Sequence, residues 1–418
     1  MKGSFRLLAT FGGRGVSAIG GMLFSVAVAR AAGAAALGQM AILFGILGVA
    51  SAIACRGYDM ILLRSTAREV DPETGRGAVA ILYRAFVRVV PGAVVAGVLA
   101  ALVAYSGALG TMMPDTALAM LIALPLLTLL MLVAAFFKGL DKAWFAPMFE
   151  IGGISLVASP LVFAARLGGP ANPVWSIVAA AVLLAMIAAV LVRREASFGH
   201  KPAQDPAVLL QGGQVDFMLI GLATFVVQAG AFTFVGTALA QDTIGLLRAA
   251  ERFAMVVSFP TLAVSPFIAP RIARHARDGN VDGLIRVSRK AVIASIAAGG
   301  APFLAMQFAS GPLLSLMGPG FVAAAPYLHA MALAHMVLVA TNPFAMLLAM
   351  SGRERPAMWI NIVALVAAVV SYPGFSALFG PWGFVAAYVL VAVARSLAIA
   401  AVAITGIARA RRPVARSA

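Results

Sequence analysis

The apolar positions of this chain come in long blocks and not in alternation. Runs of about 20 apolar residues, the length that crosses a bilayer as a helix, are separated by short clusters of charge, Gly and Pro. Marking the blocks between those clusters predicts roughly twelve helices: 8–31, 37–63, 87–105, 116–137, 147–165, 174–192, 214–240, 245–270, 291–311, 322–349, 357–377 and 383–406. Two stretches are too long for one helix each. Residues 291–352 hold no Asp, Glu, Lys or Arg, and their break is expected between Gly311-Pro312 and Gly318-Pro319-Gly320. Residues 356–394 are equally free of charge, with breaks expected near Tyr372-Pro373-Gly374 and Gly380-Pro381-Trp382-Gly383. A membrane β-barrel would read as short alternating strands, and that pattern is absent. The expected fold is an all-α polytopic membrane protein.

Composition narrows the classes. Of 418 residues, 62% are hydrophobic and 11% charged, against about 25% charged in a soluble domain. No globule of this size could hide that much apolar side chain, which excludes a soluble enzyme, an extracellular domain and an ordinary nucleic-acid binder. The chain carries 31 Lys and Arg against 15 Asp and Glu, a net charge of +16. The basic residues are scattered between apolar blocks, as the positive-inside bias of a multi-span protein requires.

With both termini inside, the inward segments are 1–7, 64–86, 138–146, 193–213, 271–290, 350–356 and 407–418. Together with Arg88 they hold 24 of the 31 Lys and Arg. Only Arg30 and Arg166 lie on the opposite side. No outward loop exceeds about a dozen residues, so an external catalytic domain is not expected. Cys55 is the lone cysteine, no Walker lysine loop occurs, and no cofactor or metal is expected. His329 and His335, six apart on one block, are read as helix packing.

The chain also repeats. A shift of 207 carries Gly38 onto Gly245 and Arg64 onto Arg271, and a shift of 213 carries Gly139-Leu140-Asp141-Lys142 onto Gly352-Arg353-Glu354-Arg355. Two like-oriented halves follow: an N-terminal six-helix bundle over 1–200, a linker at 201–213, and a C-terminal six-helix bundle over 214–418. A cleft between them is a transporter's architecture.

Five arginines remain inside the blocks: Arg14, Arg56, Arg248, Arg252 and Arg395. Each costs about 2.5–3.5 kcal/mol at mid-helix if left facing lipid. Three acids accompany them, Asp59, Asp216 and Glu251, so the interior stays cationic even if every acid is paired. Arg56 and Asp59, three apart, are expected on one helix face, as are Arg248, Glu251 and Arg252. Such a passage suits a phosphate or pyrophosphate, for which Arg offers a planar fork of donors. Arg14, Arg56, Arg248 and Arg252 are the candidate headgroup ligands. Asp59, Asp216 and Glu251 are candidates for coupling to an ion. Snorkelling or structural pairing is the competing reading of each.

Three stretches carry a resemblance to a known family. They are Gly33-Ala34-Ala35-Ala36-Leu37-Gly38-Gln39, Ile244-Gly245-Leu246 through Glu251-Arg252 to Ala269-Pro270-Arg271, and Met317-Gly318-Pro319-Gly320-Phe321 through Pro326 to Ser351-Gly352-Arg353-Glu354. In order and spacing the chain resembles the oligosaccharide flippases, exporters of lipid-linked O-units and polysaccharides within the multidrug/oligosaccharidyl-lipid/polysaccharide (MOP) superfamily. The resemblance implies two six-helix bundles around a central cavity and alternating access. It implies an undecaprenyl-pyrophosphate-linked glycan as partner, carried from the inner to the outer leaflet of a bacterial inner membrane. It also implies polysaccharide polymerases or glycosyltransferases as neighbours in the pathway. The alternatives are a peptidoglycan-precursor lipid flippase or a multidrug/cation antiporter of the same superfamily, and, from other classes, a membrane enzyme or a non-transporting scaffold.

Overall fold

In the computed structural model the described residues are 2–69, 78–107, 115–140, 142, 144–166, 172–196, 231–259, 280–350 and 354–411, with isolated positions between 218 and 278. The side chains of 2–14, 16–18 and several helix-end residues lie outside that description. Among the described residues there is no strand, as the block pattern predicts.

The helices are α1 (Lys2–Cys55), α2 (Tyr58–Glu69), α3 (Ala78–Tyr105), α4 (Thr116–Gly139), α5 (Ala146–Phe149), α6 (Ile151–Arg166) and α7 (Val174–Ala196). There follow α8 (Gln241–Ala254), continued by a 3-10 turn at Met255–Ser258, and α9 (Val281–Phe308), α10 (Ser310–Ser315), α11 (Ala325–Met350) and α12 (Glu354–Arg411).

Seven helical segments are long and apolar enough to cross a membrane, and the chain is a multi-pass membrane protein. Two of them, Ile19–Cys55 with 37 residues and Arg355–Ala408 with 54, would be about 55 and 80 Å long at ~1.5 Å per residue, against a ~30 Å hydrocarbon core. Each breaks at one glycine. Gly33 takes φ 83°, ψ −174° inside α1, and Gly380 takes φ 60°, ψ −145° inside α12. Counting those two twice and adding the shorter apolar Ile151–Ala165 accounts for ten of the twelve expected passes. The other two blocks, 214–240 and 245–270, are described only in part.

The break expected between Gly311 and Gly320 is present: α9 stops at Phe308, the short α10 follows, and Gly318 takes φ 140° before a 3-10 turn at Pro319–Ala324. The expected break at Tyr372-Pro373-Gly374 is not, because α12 runs through Pro373 and yields only at Gly380. Proline inside a membrane helix loses one backbone hydrogen bond without ending the helix. A positive φ at Gly380 does end it.

The second predicted block is likewise corrected. It is not one helix over 37–63, because Arg56 (φ 47°) and Gly57 (φ 74°) sit in the left-handed region and separate α1 from α2.

The chain divides into two compact units, Met1–Gly245 and Leu246–Ala418. In the first, α1 packs on α6 and α3 packs on α4. Small residues allow these approaches: the position a Cβ would take at Gly20 is filled by the Gly152 carbonyl and by Leu156. At one end of this unit Asp115, just before α4, accepts hydrogen bonds from Asn172 Nδ2 (2.9 Å) and from the Trp175 indole at the start of α7. In the second unit α11 packs on α9 and α12.

Positions that the shift of 207 pairs approach each other within the first unit. A Cβ on Gly38 would meet the Gln241 carbonyl and lie 3.0 Å from the Gly245 nitrogen, and a Cβ on Gly245 would meet the Ala34 carbonyl. The shift of 207 carries Ala34 onto Gln241 and Gly38 onto Gly245.

Candidate anion-binding site

Among the described residues, the charges that the sequence puts inside apolar blocks form two groups, one in each unit, with Arg395 apart.

In the first unit, α1 ends at Cys55 and the chain turns at Arg56-Gly57. Arg56 is the one non-glycine residue with positive φ among the described residues. A side chain in this conformation costs roughly 1–2 kcal/mol, so the surroundings must hold it there. Its guanidinium lies across α3 at Gly92, where an added Cβ would sit 2.9 Å from Nη2. A larger residue at 92 would displace it. Arg56 is exposed, and no ion pair links it to Asp59. The shared helix face expected of this pair is lost because the helix ends between them. Asp59 instead opens α2, half-buried in its first turn. Arg88, one turn before Gly92 on α3, stands over the Tyr58 ring at 6.0 Å.

In the second unit the expected cluster on α8 is present. Arg248 Nη1 meets Glu251 Oε2 at 2.9 Å, with side-chain exposures of 5% and 1%. A pair this deep is held by mutual charge in a low-dielectric setting, and removing either partner strands the other. Glu251 Oε1 and Arg252 Nε are both buried without a hydrogen-bond partner. Arg252 has no ion pair among the described residues. One Glu between two Arg leaves this buried cluster cationic.

Around it lies a chain that the sequence did not reveal. His335 Nδ1 hydrogen-bonds Ser258 Oγ at 2.9 Å, and its Nε2 hydrogen-bonds Tyr388 Oη at 3.2 Å. Reading His335 as helix packing missed this. Its spacing to Ser258 and Tyr388, 77 and 53 residues away, gave no local signal. Tyr388 also stands in an aromatic cluster with Tyr372 and Phe384.

Arg395 is accounted for separately: its Nε donates to Asn361 Oδ1 at 2.6 Å, a neutral partner that orients the guanidinium without cancelling its charge. The side chain of Arg14 and all of Asp216 lie outside the described residues.

The architecture has solved counterparts. The lipid II flippase MurJ in an inward closed conformation superposes with a TM-score of 0.68 at 12% sequence identity, over 97% of this chain and 89% of that one. An inward-facing multidrug resistance MATE family transporter of the MOP superfamily gives 0.63 at 12% identity, over 96% of each chain. The fold is that of the MOP transporters. A third MOP superfamily transporter, from Pyrococcus furiosus, gives 0.55 at 12% identity, over 98% of this chain and 96% of that one. At such identities the likeness speaks for the MOP fold alone. No protein-family model matches the chain, and no curated protein matches it.

Proposed function

We propose that the chain is a flippase that moves an undecaprenyl-pyrophosphate-linked oligosaccharide from the inner to the outer leaflet of a bacterial inner membrane by alternating access. The observation that carries this reading is Arg252: a guanidinium with a buried, unpartnered Nε, beside an Arg248–Glu251 pair that holds the nearest acid. One Glu for two Arg leaves a net positive charge in this cluster, and an anionic ligand offsets its cost. Arg14 and Arg56 meet the pyrophosphate from the inner side, and Arg248 and Arg252 hold it further out. Asp59, Asp216 and Glu251 are the groups available for coupling to an ion. The polyprenyl tail stays in lipid while the polar head crosses, which spares the sugars contact with hydrocarbon. Both termini are cytoplasmic, and the neighbouring steps belong to glycosyltransferases and a polysaccharide polymerase.

The cation-exporting alternative asks for surplus acid, and the described acid of the α8 cluster is engaged by Arg248. The peptidoglycan-precursor reading shares the anionic headgroup.

The test is glycan display in cells and flipping in vesicles by the Arg252→Ala variant. Loss of one charge-assisted contact predicts about a tenfold or greater fall in transport at limiting substrate. Arg252→Lys recovers part of it. Wild-type transport by Arg252→Ala removes the residue from the mechanism.

A further inference from the structure

Helix α3 presents a face that the central-passage reading touches only through Arg56. Its buried stripe is Ile81, Leu82, Ala85, Val89, Ala93 and Ala100. Away from that stripe, Val87, Val94, Val95, Val98, Leu99 and Leu102 are exposed, and only 22% of its most apolar window is buried. In a membrane such a surface faces acyl chains. Three guanidiniums stand at its inner end. Arg84 and Arg88 are four residues apart and share a face. The Arg56 guanidinium, carried by the left-handed turn between α1 and α2, lies on α3 at Gly92, one further turn along.

Depth fits a headgroup. Tyr105 closes α3 at 84% exposure, a residue type favoured at the membrane interface. A ~30 Å core spans about 20 helical residues, which puts the inner boundary near residue 85. Arg84 is then at the boundary, Arg88 one turn inside, and the Arg56 tip a turn deeper.

Two features separate this from scattered topology charges. Arg56 holds a conformation that side chains rarely adopt, and Gly92 lacks the Cβ that would block its guanidinium. Three guanidiniums within about two turns of α3 exceed what the single charge of a phosphodiester lipid needs. They match a pyrophosphate, whose adjacent phosphates accept two Arg forks at once.

We propose that the inner end of α3, with Arg84, Arg88 and Arg56, is an inner-leaflet docking site for a pyrophosphate-headed polyprenyl lipid, whose tail lies along the exposed valine stripe. This rests on reading the chain as a flippase of such a lipid, and adds where that lipid waits before its head enters the passage.

The experiment uses the full chain in phosphatidylcholine nanodiscs, with p-benzoylphenylalanine at Val87, undecaprenyl pyrophosphate as probe and phosphatidylglycerol as competitor. Irradiation is expected to give an adduct of the undecaprenyl lipid, found by mass spectrometry on a peptide containing position 87. An equal amount of phosphatidylglycerol leaves its yield unchanged. Arg84→Gln with Arg88→Gln lowers the yield about tenfold at limiting probe. Arg84→Lys with Arg88→Lys, which keeps the charge and the topology but not the fork, lowers it to an intermediate level. An adduct yield unchanged in both double variants, or a phosphatidylglycerol adduct of equal yield, overturns the docking site. Either result leaves the Arg252 test standing. Absence of any undecaprenyl adduct from the parent chain, in a preparation that flips the probe, overturns docking alone, and absence of both overturns the flippase reading with it.

Discussion

At the scale of single residues, charge inside this chain is tied to backbone geometry. Arg56 was expected at mid-helix, yet it ends one helix by taking φ 47° and sends its guanidinium to α3. Asp115 shows the same economy outside the membrane-spanning segments. Partial burial works to raise its pKa, but hydrogen bonds from Asn172, Trp175 and the backbone outweigh it and hold the carboxyl below the ordinary Asp value. A pKa lowered in the folded state gives stability that is present above the unfolded value, near 3.9, and lost as pH falls through the folded one. The melting temperature of the wild type therefore exceeds that of Asp115→Asn at neutral pH. The gap narrows on acidification below about pH 4. Thermal melts of both proteins across that range check it, and a gap independent of pH contradicts it.

At the scale of elements, the close approach of α1 to residues 241–245, within the first unit, depends on two glycines. Gly38 faces the Gln241 carbonyl, Gly245 faces the Ala34 carbonyl, and Gln39 Nε2 donates to Gln241 Oε1 at 2.7 Å beside them. The obstructing atoms are backbone, which cannot rotate away. Gly38→Val and Gly245→Val each force the helices apart and lower stability by about 1–3 kcal/mol, read as a drop in melting temperature. Valine introduced at Gly374, where nothing lies within 4 Å of an added Cβ, lacks that clash and serves as the control.

This crossing was half legible in the sequence. The repeat marked Gly38 and Gly245 as equivalent, but equivalence in a repeat does not say that the two residues touch. The helix blocks were legible because lipid demands long apolar runs, and the Gly318 and Gly380 breaks were legible as Gly/Pro clusters. The break at Arg56 was not, since an arginine followed by one glycine is a weak stop signal. Nor was the Ser258–His335–Tyr388 chain, which is assembled from three elements. The Arg248–Glu251 pair was legible because it is local, three residues apart on one helix.

At the scale of the whole molecule, the distribution of basic residues predicts which way each helix runs. With both termini placed in the cytoplasm, 24 of 31 Lys and Arg fall on the inner side, as the positive-inside bias expects. The opposite orientation would carry those segments outward against the membrane potential, at ~2.3 kcal/mol per charge per 100 mV. It would also turn the inner end of α3, with Arg84 and Arg88, toward the leaflet where a cytoplasmically made lipid is absent. Cys55 is the only cysteine and is buried, so single cysteines can be introduced against a quiet background. Ser106→Cys, just past the outer end of α3, is expected to react with a membrane-impermeant maleimide in intact spheroplasts. Ser417→Cys, near the C-terminus, is expected to react only after the membrane is opened. The reverse pattern would put the basic segments outside, and with them every arginine assigned to the inner leaflet. The labelling therefore tests the orientation on which both the passage and the α3 docking site depend, without requiring that the substrate be known.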